Sequence, residues 1–128
     1  MFIQIGYIEE RKYIMYNQEM FQEIFEKEVV KKIAKNFINI AKNQGAVKKE
    51  VKNIEAFFKT RFVRFCILLS YYSEEEGLET NIHNKKCGYR LKSMLPKVYF
   101  DKKWTDEELF DLVGYTDEQI ATVKRLIF

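Results

Sequence analysis

His83 is the only histidine of the chain, and with Cys87 and Glu79 it forms one local set of metal-ligating side chains at helical spacing. Gly88 adjoins the set and no fourth ligand stands nearby, so it falls short of a closed site. His83 and Cys87 also have the outline of a general base and a thiol nucleophile. That outline lacks a carboxylate to orient the imidazole and an oxyanion site to receive developing charge. Glu74, Glu75 and Glu76 make a run of carboxylates, but adjacent residues on a helix or loop diverge and no second acidic or histidine cluster complements them; a solvated surface is the expectation. The chain is therefore expected to be no enzyme, with no metal and no cofactor.

The remaining chemistry is cationic. Residues 31–70 carry ten basic and two acidic side chains, whereas residues 1–30 and 101–128 are each net acidic by three. A positive belt of that density suits phosphates, since each lysine or arginine that displaces a counterion adds salt-dependent affinity. It equally suits the chain's own acidic ends or an acidic protein partner. If the ligand is double-stranded DNA, Lys59, Arg61 and Arg64 are the expected phosphate contacts, Lys48 and Lys52 extend the belt, and Lys92 and Lys97 arrive from the segment that follows. At 100° per residue, Lys48, Lys52 and Lys59 fall near one edge of an apolar stripe and Arg61 and Arg64 near the other, so they do not draw a single groove-tracking face. Arg61 and Arg64 have a second expected role, salt bridges to Asp106, Glu107 or Glu108 that would clamp the C-terminal end of the chain.

The elements that must position these groups begin with Val51 to Tyr72. Val51, Ile54, Phe58, Phe62, Phe65 and Leu69 fall within about 60° of one line, the spacing of a long amphipathic helix facing a core. From Phe57 onward apolar residues also occupy the flanks at Phe57, Val63, Ile67 and Leu68, so the second half should be enclosed on several sides or covered by a partner, including a second copy of the chain. A preceding helix is expected from Asn17 to about Lys42, with Phe21, Phe25, Val29, Ile33, Phe37 and Ala41 inward. Its acidic start and lysine-rich finish match the helix dipole. Gly45 stops it, and a turn over Asn43 to Ala46 returns the chain as an antiparallel partner, Val47 to Tyr72.

Residues 1–16 alternate β-branched and aromatic side chains and are expected to form a small β-hairpin or extended arm; a helix from near Ile8 is the other reading. Residues 73–90 should be a polar loop, and Tyr89 to Phe100 a short strand or extended segment with an edge or bend at Pro96. Thr105 with Glu108, and Thr116 with Gln119, match two successive capping boxes, with Gly114 ending the first helix. These predict a compact helical hairpin. A helix-turn-helix reading is poorly supported, because its second helix would enter the groove with Asp117 and Glu118 foremost.

The expected fold is thus mainly α: two long antiparallel helices over 17–72, a capped helical hairpin within 89–128, and the N-terminal arm, in one domain of 128 residues. Eleven phenylalanines and eight tyrosines predict a core or contact surface built from rings. No apolar run approaches the roughly 20 residues of a membrane-spanning helix, and Glu9 and Glu10 interrupt any secretory segment, so a cytoplasmic location is expected. Two cysteines in such a compartment imply neither a disulfide nor a structural zinc site. Phe57, Phe58, Phe62 and Phe65 should be core rings rather than base-stacking ones.

Two stretches carry a resemblance. FFKTRFVRFCILL (57–69) and YRLKSMLPKVYFDKKWTDEELFDLVGYTDEQI (89–120) resemble the C-terminal tail of adenine-specific DNA methyltransferases of bacterial restriction-modification systems. The shared residues are Lys59, Thr60, Arg61, Phe62, Arg64 and Phe65, then Pro96, Trp104, Thr105, Asp106, Glu107, Glu108, Leu109, Gly114, Thr116, Asp117, Glu118 and Ile120; Phe110 and Gln119 stand where that family usually has tyrosine and glutamate. The resemblance covers about residues 51–128. It implies an accessory role in DNA recognition, since in that family the tail belongs with target recognition. It does not carry catalysis over: the chain has no Gly-rich cofactor loop and, with one proline, no motif to receive a flipped adenine. The expected function is a non-catalytic DNA-binding or accessory protein. The alternative is a phage or mobile-element inhibitor, of anti-restriction or anti-CRISPR type, that binds a bacterial defence enzyme through its acidic ends.

Overall fold

The computed structural model describes residues 29–71 and 87–127, and all regular structure among them is helical. The arm or hairpin expected over 1–16, the first part of the expected helix from Asn17, and Glu74, Glu75, Glu76, Glu79 and His83 of the expected loop lie outside the described residues. Six helices follow in order: α1 (Val30–Asn43), α2 (Lys48–Lys59), α3 (Arg61–Tyr71), α4 (Cys87–Met94), α5 (Asp106–Val113) and α6 (Asp117–Leu126).

Helices α1 and α2 form the expected antiparallel pair. Gly45, at φ 93°, closes α1: its N–H donates to Lys42 O at 3.0 Å and the Ala46 N–H to Ala41 O at 3.0 Å. That pair of bonds satisfies the last carbonyls of the helix and needs a left-handed residue where a side chain would be strained. Glu50 then holds the start of α2 by accepting the Val47 N–H at 3.0 Å.

The expected continuous helix from Val47 to Tyr72 is corrected: it breaks at Thr60, whose φ of −65° and ψ of 151° are extended. Thr60 ends one helix and opens the next. Its hydroxyl donates to Phe57 O at 2.7 Å and accepts the Val63 N–H at 3.3 Å, serving both helix ends with one side chain. Apolar periodicity runs through the break unaltered, which is why it was invisible to a pattern of inward residues.

Helix α3 is the centre of the molecule and packs against α2, α4, α5 and α6. Phe62, Val63 and every residue from Phe65 to Ser70 are buried, as the widened apolar surface of that stretch required. The one hydroxyl among them is satisfied, Ser70 donating to Ile67 O at 2.7 Å. Tyr89 to Phe100 is also corrected, because α4 extends to Met94 and only residues 95–100 are non-helical. Pro96 accounts for the change of state, since it disfavours helical backbone at the residue before it.

Both expected capping boxes form. Glu108 N–H donates to Thr105 Oγ1 at 3.3 Å and Thr105 N–H to Glu108 Oε1 at 3.2 Å; Gln119 N–H donates to Thr116 Oγ1 at 3.2 Å and Thr116 N–H to Gln119 Oε1 at 2.8 Å. Gly114 sits at φ 75° between the two helices, where Tyr115 N–H reaches Phe110 O at 3.0 Å. The hairpin docks on α3 through rings: Phe62 lies 6.1 Å from Phe110 and 5.7 Å from Tyr115, centroid to centroid. A second ring set joins Phe57, Phe58, Phe37 and Phe100, with Phe57 and Phe100 edge-on at 5.2 Å.

Candidate nucleic-acid interface

On α1, Lys31, Lys35 and Lys42 stand at i, i+4 and i+11; on α2, Lys48, Lys52 and Lys59 repeat that spacing. Each set occupies an arc of about 40° on its helix. Because the helices run antiparallel, the two rows face each other in reverse order, Lys31 and Lys35 towards Lys59, and Lys42 towards Lys48 and Lys52. Between them lie two adjoining shallow clefts of about 410 and 440 Å³ that share Lys42 and Glu55.

The floor is apolar, with Val30, Ala34, Ile38 and Phe58 at one end and Ala46 and Val51 at the other. The rim is six exposed lysines against one exposed carboxylate, Glu55. Eleven residues of helix rise about 16 Å. At about 3.4 Å of rise per nucleotide of one strand, such a row spans about five successive phosphates. An ammonium on a four-carbon stem is a mobile point charge, so these rows can follow a backbone but carry little sequence information.

The structure divides the residues expected to touch DNA. Lys48, Lys52 and Lys59 line the cleft, while Lys92 on α4 and Lys97 in the extended segment are exposed but do not line it. Arg61 and Arg64 are half-buried on the first turn of α3, and the Arg64 Nε–H donates to Thr60 O at 3.4 Å. Lys31, Lys35 and Lys42 were not expected as site residues; their charge was assigned to the dipole of α1. The signal that could have found them is the repeated lysine spacing, which becomes a site only once the two helices are known to pair.

The C-terminal hairpin is joined to the first turn of α3 through a carboxylate. Asp106 Oδ1 accepts the backbone N–H of Phe62 at 2.8 Å. Phe62 and Val63 both present N–H groups from the first turn of α3, so Thr60 and Asp106 together cap that turn, one from within and one across the fold. The other hairpin residues hold the segment before it. Lys102 pairs with Glu108 and lies over the Trp104 ring, 4.5 Å from its centroid, and the Trp104 Nε1–H donates to Tyr99 O at 2.9 Å.

Among the described residues no group of three or more His, Cys, Asp and Glu is placed to hold a metal ion. Cys66 is fully buried, and burial pushes its thiol up to about 12, so it stays protonated and unreactive near neutral pH. Tyr115 is pushed up in the same direction, by burial first and by the neighbouring Cys66 second. No helix among the described residues is long and apolar enough to cross a membrane.

No protein-family model, curated protein or solved structure matches the chain.

Proposed function

We propose that this is a non-catalytic DNA-binding protein that grips the phosphate backbone of duplex DNA between the lysine rows of α1 and α2, as an accessory of the restriction-modification kind. The observation that carries this reading is the convergence of Lys31, Lys35, Lys42, Lys48, Lys52 and Lys59 on one cleft with a single carboxylate. The resemblance of residues 51–128 supports the accessory role. Its two separate stretches meet physically, through Thr60 and Asp106 on one turn of α3.

Six phosphate contacts imply a slope of about −5 in log affinity against log salt, or roughly a thousandfold loss between about 50 and 200 mM. Anisotropy titration of a labelled duplex at those two concentrations measures it. Changing Lys35 and Lys52 together to Gln should reduce the slope by about two. Lys92→Gln, off the cleft, should leave it unaltered. Absence of binding at low salt sinks the proposal.

A second reading, an inhibitor that docks on a defence enzyme, is favoured by a different surface. The α5–α6 hairpin exposes Glu107, Asp111, Asp117 and Glu118, and with them Leu112 at 53% exposure. Such a contact would depend less steeply on salt and would survive the loss of the cleft lysines.

A further inference from the structure

Between α4 and α5 the chain crosses residues 95–105 without helix, and Tyr99 within it is 85% exposed. Its backbone is nevertheless held on the C-terminal side of its Cα. Trp104 Nε1–H donates to the Tyr99 carbonyl at 2.9 Å, and Asn53 Nδ2–H, from α2, donates to the Phe100 carbonyl at 2.9 Å. Two successive carbonyls pinned by side chains hold the backbone from which the Tyr99 ring emerges, so less chain freedom is lost when the ring takes a ligand.

Phe37, Phe57, Phe58 and Phe100 form one set of ring contacts and Phe62, Phe110 and Tyr115 another; Tyr99 belongs to neither. Lysines surround it in sequence. Lys97, Lys102 and Lys103 are all exposed, and Lys102 is engaged with Glu108 and Trp104, which leaves Lys97 and Lys103, before and after Tyr99 in the chain, for an anion.

We propose that Tyr99 is a stacking platform for an unpaired nucleobase of single-stranded DNA, with Lys97 and Lys103 on the flanking phosphates. The ring face selects the ligand class, because in a duplex each base face is closed by its neighbours and only an unpaired or splayed base offers one. The site is separate from the α1–α2 cleft. Asn53, which anchors the loop, is about 100° to 140° around α2 from Lys48, Lys52 and Lys59. The inference therefore does not rest on duplex binding by the lysine rows.

Trp104 is the only tryptophan of the chain and touches the loop at Tyr99, so its fluorescence reports the site. Titration with a short oligodeoxythymidylate at low salt should quench it. Tyr99→Ala should weaken that binding roughly 5- to 150-fold, the range that stacking of one base supplies, whereas Tyr99→Phe should keep it. Duplex affinity should not change in either variant. An exposed position leaves folding intact, and circular dichroism checks this. Equal affinity of the Tyr99→Ala variant and the unsubstituted protein for the oligonucleotide overturns the proposal, as does absence of binding by the latter; an equal loss on duplex overturns the separateness of the site.

Discussion

Asp106, the first residue of α5, accepts the backbone N–H of Phe62 on the first turn of α3 at 2.8 Å, across 44 residues of chain. The carboxylate thereby satisfies a helix N-terminus that the break at Thr60 created, and its negative charge suits the positive end of the α3 dipole. Asp106→Ala should lower stability by about 1–3 kcal/mol, the range for a hydrogen bond to a charged group. Asp106→Asn keeps an acceptor and should lose less. Urea unfolding of the two variants measures the difference; equal losses would show that a neutral acceptor adds nothing and that the charge carries the effect.

Asn53 is buried and its side-chain amide donates to Phe100 O at 2.9 Å. Asn53→Ala leaves that carbonyl without its donor and should cost about 1–3 kcal/mol. The extended segment should loosen as well. Tryptic cleavage after Lys97, Lys102 and Lys103 would then be faster in the variant than in the unsubstituted protein, and an unchanged digestion rate would count against the tether.

Gly114 holds φ 75°, and nothing lies within 4 Å of where a Cβ would stand. Gly114→Ala should therefore cost about 1–2 kcal/mol from backbone strain alone, with Gly114→Asn intermediate because asparagine tolerates this region better. Thermal unfolding of the pair separates strain from crowding, since asparagine is the bulkier and should be the milder substitution.

Alkaline pH should destabilise the fold. Cys66 ionises at an ordinary value of 9.0 when unfolded and at about 12 when buried, and Tyr115 is shifted the same way. The native state binds more protons than the unfolded one over that window, so stability is full below pH 9.0 and falls as pH rises towards 12. Denaturation midpoints across pH 8 to 11 test the direction. In a Cys87→Ser background, Cys66 should also resist thiol reagents until the protein unfolds.

The helix pair, the enclosed second half of 51–72 and the capped hairpin were legible because each is a local pattern. Ile54, Phe58 and Phe65 recur at helical spacing, Gly45 and Gly114 sit where a left-handed residue must, and each threonine of a capping box is three residues from its partner. The break at Thr60 was not legible. A threonine that serves two helix ends has no distinctive spacing, and the core face continues through it. Cys87 and Gly88 were expected in a polar loop and Tyr89 to Met94 in an extended segment bent at Pro96, yet all eight residues are helical and the helix ends before Pro96 constrains it.

Of the lysine-lined surface, the sequence showed one row and not the other. Lys48, Lys52 and Lys59 were visible as one edge of a helix, but Lys31, Lys35 and Lys42 were absorbed by the dipole of α1, and the arginines placed beside them lie on the first turn of α3.

What the sequence determined by itself is the antiparallel pairing about Gly45, the inward face of 51–69 and the two capped helices of the hairpin, because these follow from interactions within about four residues. Only the tertiary structure decided that Asn53 holds Phe100, that Asp106 caps α3, and that two lysine rows 17 residues apart in sequence share a cleft. These pairings cost chain entropy that no local preference recovers, and they form because burying the rings of α3 brings their partners into reach.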